Sequence, residues 1–74
     1  MLTFNHSFLE KLREKNQWSR PDVVFKLYDK GLRIAVATIL NWETGKSEPG
    51  AEELGYLAEL YGVSVNDLMK DDDK

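Results

Sequence analysis

Residues 34–49, IAVATILNWETGKSEP, carry one helix, its stop and the lead into the next. A helix turns about 100° per residue, so Ala35, Ile39 and Trp42 share one stripe. Ala37, Leu40, Asn41 and Thr44 fall on the opposite stripe, with Val36 beside them. Ile39 and Trp42 read as core. The helix is expected from about Ala35 to Thr44, closed by Gly45, which tolerates the left-handed backbone of a helix end. The outer stripe raises the question. Val36, Ala37 and Leu40 are too apolar for an ordinary solvent face, so something should touch them.

Helical spacing continues on both sides. A first helix is expected to start near Asn5 or Ser7, where Ser7 and Glu10 fit a reciprocal cap. Leu9 and Leu12 give it an inward face, and Asn16-Gln17 marks its stop. Ser19-Arg20-Pro21-Asp22 reads as a second start: Ser19 caps, Pro21 loses no helical bond there, and Asp22 suits the positive helix end. Val23, Val24, Leu27 and Tyr28 supply its apolar face, and Gly31 after Lys30 ends it. Pro49 and Gly50 open a fourth helix with Leu54, Leu57, Ala58 and Tyr61 at i, i+3, i+4 and i+7, closed by Gly62. Ser64 and Asp67 cap a short fifth carrying Val65, Leu68 and Met69. No alternating run is long enough for a convincing strand. The expected fold class is all-α, a compact five-helix bundle over residues 1–70. Lys70 leads into a charged tail, residues 71–74, expected to be solvated and frayed, and similar to a cleavable-tag remnant.

Seventy-four residues make one domain, which buries only about 60% of the surface its unfolded chain exposes. A hydrophobic content of 42% argues for a folded chain, with little room for an enclosed catalytic pocket. Without cysteine there is no disulfide, thiolate metal site or thiol nucleophile. His6 has no acid–base partner in the pattern. Glu52, Glu53 and Asp22 suit helix N-termini better than catalysis, and an acidic tail at Asp71–Asp73 is a poor cation cage. No enzyme, metal, cofactor or small-molecule ligand is expected. No apolar run approaches the roughly 20 residues that span a bilayer, and no signal peptide opens the chain, so a cytoplasmic location is expected.

The net charge of −3 hides an asymmetry. Residues 1–50 hold eight Lys/Arg against six Asp/Glu, and residues 51–74 hold two against seven. Phosphate binding depends on the field within about 8–10 Å, not on the total, so a DNA-facing pole and an acidic pole can coexist.

From Leu12 to Met69 the chain resembles the lambda-repressor-like (Xre/Cro) helix-turn-helix family. The segments LREKNQWSRPD, TILNWETGKSEP and ELGYLAELYGVSVNDLM carry the likeness. In particular, Trp42-Glu43-Thr44-Gly45-Lys46-Ser47-Glu48-Pro49 has the family's W-E-x-G-x-x-x-P spacing, with Leu54–Ala58 and Gly62–Leu68 following in order. The resemblance implies a five-helix domain whose helix-turn-helix unit, about residues 19–45, puts helix three into a DNA major groove. It implies base contacts from Val36, Ala37 and Asn41, a phosphate or base contact from Arg20, and backbone contacts from Thr44 and Lys46. It also implies an ion pair between Arg13 and Glu43. Two departures stand out. About five extra residues fall around 28–33, lengthening helix two and altering the turn. The early reading positions also lack Arg, Gln or Asn, which leaves Asn41 as the one amide that can pair with adenine.

Two functions follow as expectations. The first is a sequence-specific, DNA-binding transcription regulator, a cytoplasmic repressor of bacterial or phage type. In it Arg20, Lys30, Arg33 and Lys46 grip phosphates, Asn41 donates a hydrogen bond, and Val36, Ala37 and Leu40 pack on thymine methyls. A homodimer on a palindrome, with half-sites about 34 Å apart, would strengthen such binding. The second is a protein-interaction module that keeps the fold, antitoxin-like or corepressor-binding, using the apolar Val36/Leu40 stripe.

Overall fold

A computed structural model describes residues 1–71; the expected tail beyond Asp71 lies outside the described residues. Four α-helices form the body: α1 (His6–Lys15), α2 (Arg20–Lys30), α3 (Val36–Thr44) and α4 (Ala51–Tyr61). A two-stranded antiparallel ribbon, β1 (Leu2–Phe4) and β2 (Met69–Asp71), joins the ends, with Leu2 opposite Asp71, Thr3 opposite Lys70 and Phe4 opposite Met69.

Local chemistry places the helix ends. Asn5, rather than Ser7, caps α1: its side-chain oxygen accepts from the Phe8 N–H at 3.2 Å. Ser7 sits inside the helix and donates its hydroxyl to the same oxygen. At α2 the expected reciprocal cap forms, Asp22 N–H to Ser19 Oγ at 3.1 Å and Ser19 N–H to Asp22 Oδ2 at 2.8 Å. Gly31 then takes φ +109°, and the Leu32 N–H turns back to the Leu27 carbonyl. α3 starts at Val36, because Ala35 is its extended, exposed N-cap and not part of the buried stripe.

The expected fifth helix is a single 3-10 turn, Asn66–Leu68. Ser64 and Asp67 do exchange their capping bonds at 3.1 Å. Continuation fails because the Leu68 carbonyl accepts from the Asn5 N–H at 2.8 Å, and Met69 is extended. The chain is thereby passed to β2. Asp71, expected as tail, and Lys70 before it are ladder residues. Strands of three residues are too short for alternation to reveal them.

The core joins Phe4 of β1 to Leu9, Leu12, Val23, Leu27, Ile39, Trp42, Leu57, Ala58 and Leu68. Each fully buried Leu or Ile contributes about 1.5–3 kcal/mol relative to exposure. One expected inward residue is misplaced: Tyr28 is 57% exposed, since α2 turns its Val23/Leu27 face to the core. Phe25, 70% exposed, lies on the same outer side.

Leu27→Ala is therefore expected to cost about 2–5 kcal/mol, whereas Phe25→Ala should stay within about 0.5 kcal/mol, read from urea unfolding midpoints. The Ser19 cap makes a second prediction. The Ser19 backbone N–H, and after it the Ser19 hydroxyl, hold the Asp22 carboxyl below its usual 3.8. A lowered folded-state pKa stabilises above 3.8 and loses that contribution as pH falls through the lower folded value. Asp22→Asn should thus be less stable than the parent at neutral pH, and the gap should close as unfolding is repeated below pH 3.8.

Candidate nucleic-acid interface

One buried carboxylate organises α1, α2 and α3. Glu43, near the end of α3, accepts from Arg13 through both oxygens, Nε to Oε2 at 2.7 Å and a terminal guanidinium nitrogen to Oε1 at 3.1 Å. Arg20, the first residue of α2, donates its Nε to the same Oε1 at 2.9 Å. The Arg13 fork is completed by the Trp18 carbonyl at 3.0 Å. Trp18 reaches that place because the chain reverses at Gln17, whose φ is +59°. The Glu43 bonds raise the Arg13 pKa above its already high value. Beside the cluster, burial first and the Glu43 charge second push the Tyr61 pKa up, so its phenol stays neutral. Arg20 also lies 3.9 Å from a Glu10 carboxylate oxygen of α1, so two cations meet two anions at this junction and its charges balance.

That arrangement decides the electrostatics of α3. Glu43 is the helix's single acidic residue and is buried, so the outer face presents no negative charge. Val36 (42% exposed) and Leu40 (41%) stand out on this face, with Ala37 and Thr44 also exposed and Asn41 half-buried. The Thr44 hydroxyl donates to the Leu40 carbonyl at 2.9 Å, so its proton is engaged within the helix. Among the described residues no hydrogen bond holds the Asn41 side-chain amide. Asn41 is thus the polar group this face has to offer.

The basic residues divide by position. Lys46 is exposed just after α3, and Arg33 is exposed in the turn before it; among the described residues neither is in an ion pair. Some 12 Å of helix separates the two ends of α3. Arg20 joins them at the far end of α3 through Glu43, with its side chain about a third exposed. Lys30 instead leans toward Glu59 of α4, 3.8 Å away. The Arg33 guanidinium lies 5.7 Å from the centre of the Tyr28 ring, in an open cleft of about 550 Å³ with Asp29 and Gly31.

Several features were not legible beforehand. Arg20 as a second partner of Glu43 had no signal, since the residues are far apart in sequence. The Lys26 ammonium, 4.6 Å from the Trp18 ring centre, and the Trp18–Tyr61 ring pair at 5.6 Å were also unforeseen. His6 is partly buried, with its ring close against Gly45. Among the described residues no group of acidic and His side chains could hold a metal, and no helix is long and apolar enough to cross a membrane.

A helix-turn-helix family model matches residues 9–68. The chain belongs to this family, the Xre or lambda-repressor-like helix-turn-helix domains, a family of DNA-binding regulators. No curated protein and no solved structure matches it.

The Glu43 cluster yields a ranked stability prediction. Glu43→Gln leaves Arg13 buried without its counter-charge and is expected to cost about 3–5 kcal/mol. Arg20→Ala should cost only about 1 kcal/mol, because Arg13 still holds both carboxylate oxygens. Urea unfolding followed by tryptophan fluorescence measures both, and equal costs would contradict the ranking.

Proposed function

We propose that the protein is a sequence-specific DNA-binding transcription regulator that lays α3 in a major groove. The observation that carries this reading is the charge of α3: its acid is buried between two arginines, and free cations stand before and after its exposed face. A groove about 12 Å wide, walled by phosphates, accepts a helix of that kind. Arg33 and Lys46 are the phosphate grips, and among the described residues neither is in an ion pair. Arg20 contributes a guanidinium already oriented by Glu43, and Lys30 acts only if it leaves Glu59. Thr44 reaches a phosphate only by releasing Leu40. Val36, Ala37, Leu40 and Asn41 face the bases. With few hydrogen-bonding readers, affinity rests mainly on phosphates, and a homodimer on a palindromic site would multiply it. The protein-partner reading draws on the same Val36/Leu40 stripe.

Titration of labelled duplexes by fluorescence anisotropy tests this. Affinity should fall by orders of magnitude between about 50 mM and about 200 mM salt. Arg33→Ala and Lys46→Ala should each lower the log–log salt slope by about 1 and weaken all sequences alike. Absence of binding at the lower salt would sink the proposal.

A further inference from the structure

The exposed face of α3 is unusual in what it cannot do. Val36, Ala37 and Leu40 carry neither a donor nor an acceptor, and the Thr44 proton is held by the Leu40 carbonyl. An apolar side chain set against the O4 of thymine or the N4 of cytosine strips that group of water and gives it no partner. Placed against a C5-methyl, the same side chain gains contact without loss. Of the groups a base pair shows in the major groove, the methyl is therefore the one that Val36, Ala37 and Leu40 can reward.

We infer that the α3 face selects pyrimidines by their C5-methyl group, so that 5-methylcytosine serves in place of thymine opposite Val36, Ala37 and Leu40. The inference rests on the DNA binding proposed above and names the chemistry of that same site. Thymine and 5-methylcytosine place the same methyl at the same point of the groove. They differ at the neighbouring O4 or N4, and no side chain of the Val36/Ala37/Leu40 stripe can sense that difference. Asn41 sets the limit of the equivalence. Its amide pairs with adenine N6 and N7, so a base pair facing Asn41 keeps its adenine and does not accept the exchange. The occupant is nucleic acid, not a protein partner, because the stripe lies between Arg33 and Lys46 and the acid of α3 is buried.

The experiment is selection on the full chain from three pools of duplexes with a randomised core, synthesised with thymine, with deoxyuridine for thymine, or with 5-methylcytosine for cytosine. The thymine pool should yield a binding site, which is then remade with single changes. Each thymine-to-deoxyuridine change at a contacted position should weaken binding about fourfold. Replacing the T·A pair there by 5-methylcytosine·G should keep affinity within about twofold, while unmethylated C·G should lose the same fourfold. Leu40→Ala should shrink the thymine/deoxyuridine ratio at its position, and Lys46→Ala should weaken both duplexes equally. Equal binding of thymine and deoxyuridine sites would overturn methyl selection while leaving DNA binding intact. So would equal losses from C·G and 5-methylcytosine·G. If no pool yields a site even at low salt, DNA reading itself fails and methyl selection with it.

Discussion

The Glu43 carboxylate ties α3 to two other helices at once. A charge taken out of water at that depth is tolerated only with several donors around it, and the donors come from two other helices. Arg13 fixes α3 to α1, and Arg20 fixes it to α2. The exposed face of α3 is then what remains once Glu43, Ile39 and Trp42 have been buried. Fold and surface follow from one constraint: the acid goes inward with its cations, and the outward face is left uncharged.

This explains why an acidic protein can present a surface suited to phosphates. The net charge of −3 is dominated by the chain after residue 50. Within the helix-turn-helix unit, the Glu43 carboxylate is buried against Arg13 and Arg20, while among the described residues Arg33 and Lys46 are in no ion pair. Asp22 is likewise committed, to the Ser19 N–H. Local pairing, rather than the total, sets the field that a ligand meets.

The sequence made the helices legible where capping chemistry was strong. Ser19 with Asp22, and the glycines at 31, 45 and 62, placed boundaries almost to the residue. The family signature at Trp42–Pro49 located α3, and its periodicity separated Ile39 and Trp42 from Val36 and Leu40. The failures share a cause. The 3-10 turn at Asn66–Leu68 has the right cap, but its outcome is decided by an amide at Asn5, at the other end of the chain. The ribbon and the Arg20–Glu43 bond are also long-range, and no local pattern announces them. Tyr28 was misread because an aromatic at a plausible spacing looks inward until α2's neighbours are known.

The ribbon's register carries a mechanical meaning. Leu2 lies opposite Asp71, and Phe4 opposite Met69, so the outermost pair is also the pair nearest the chain's ends. Tension drawn between Leu2 and Asp71 would open the ladder one pair at a time, like a zip, instead of shearing all its bonds together. The helices would feel no load until Phe4 left the core. In this domain the first structure to yield under tension is the one farthest along the chain from α3.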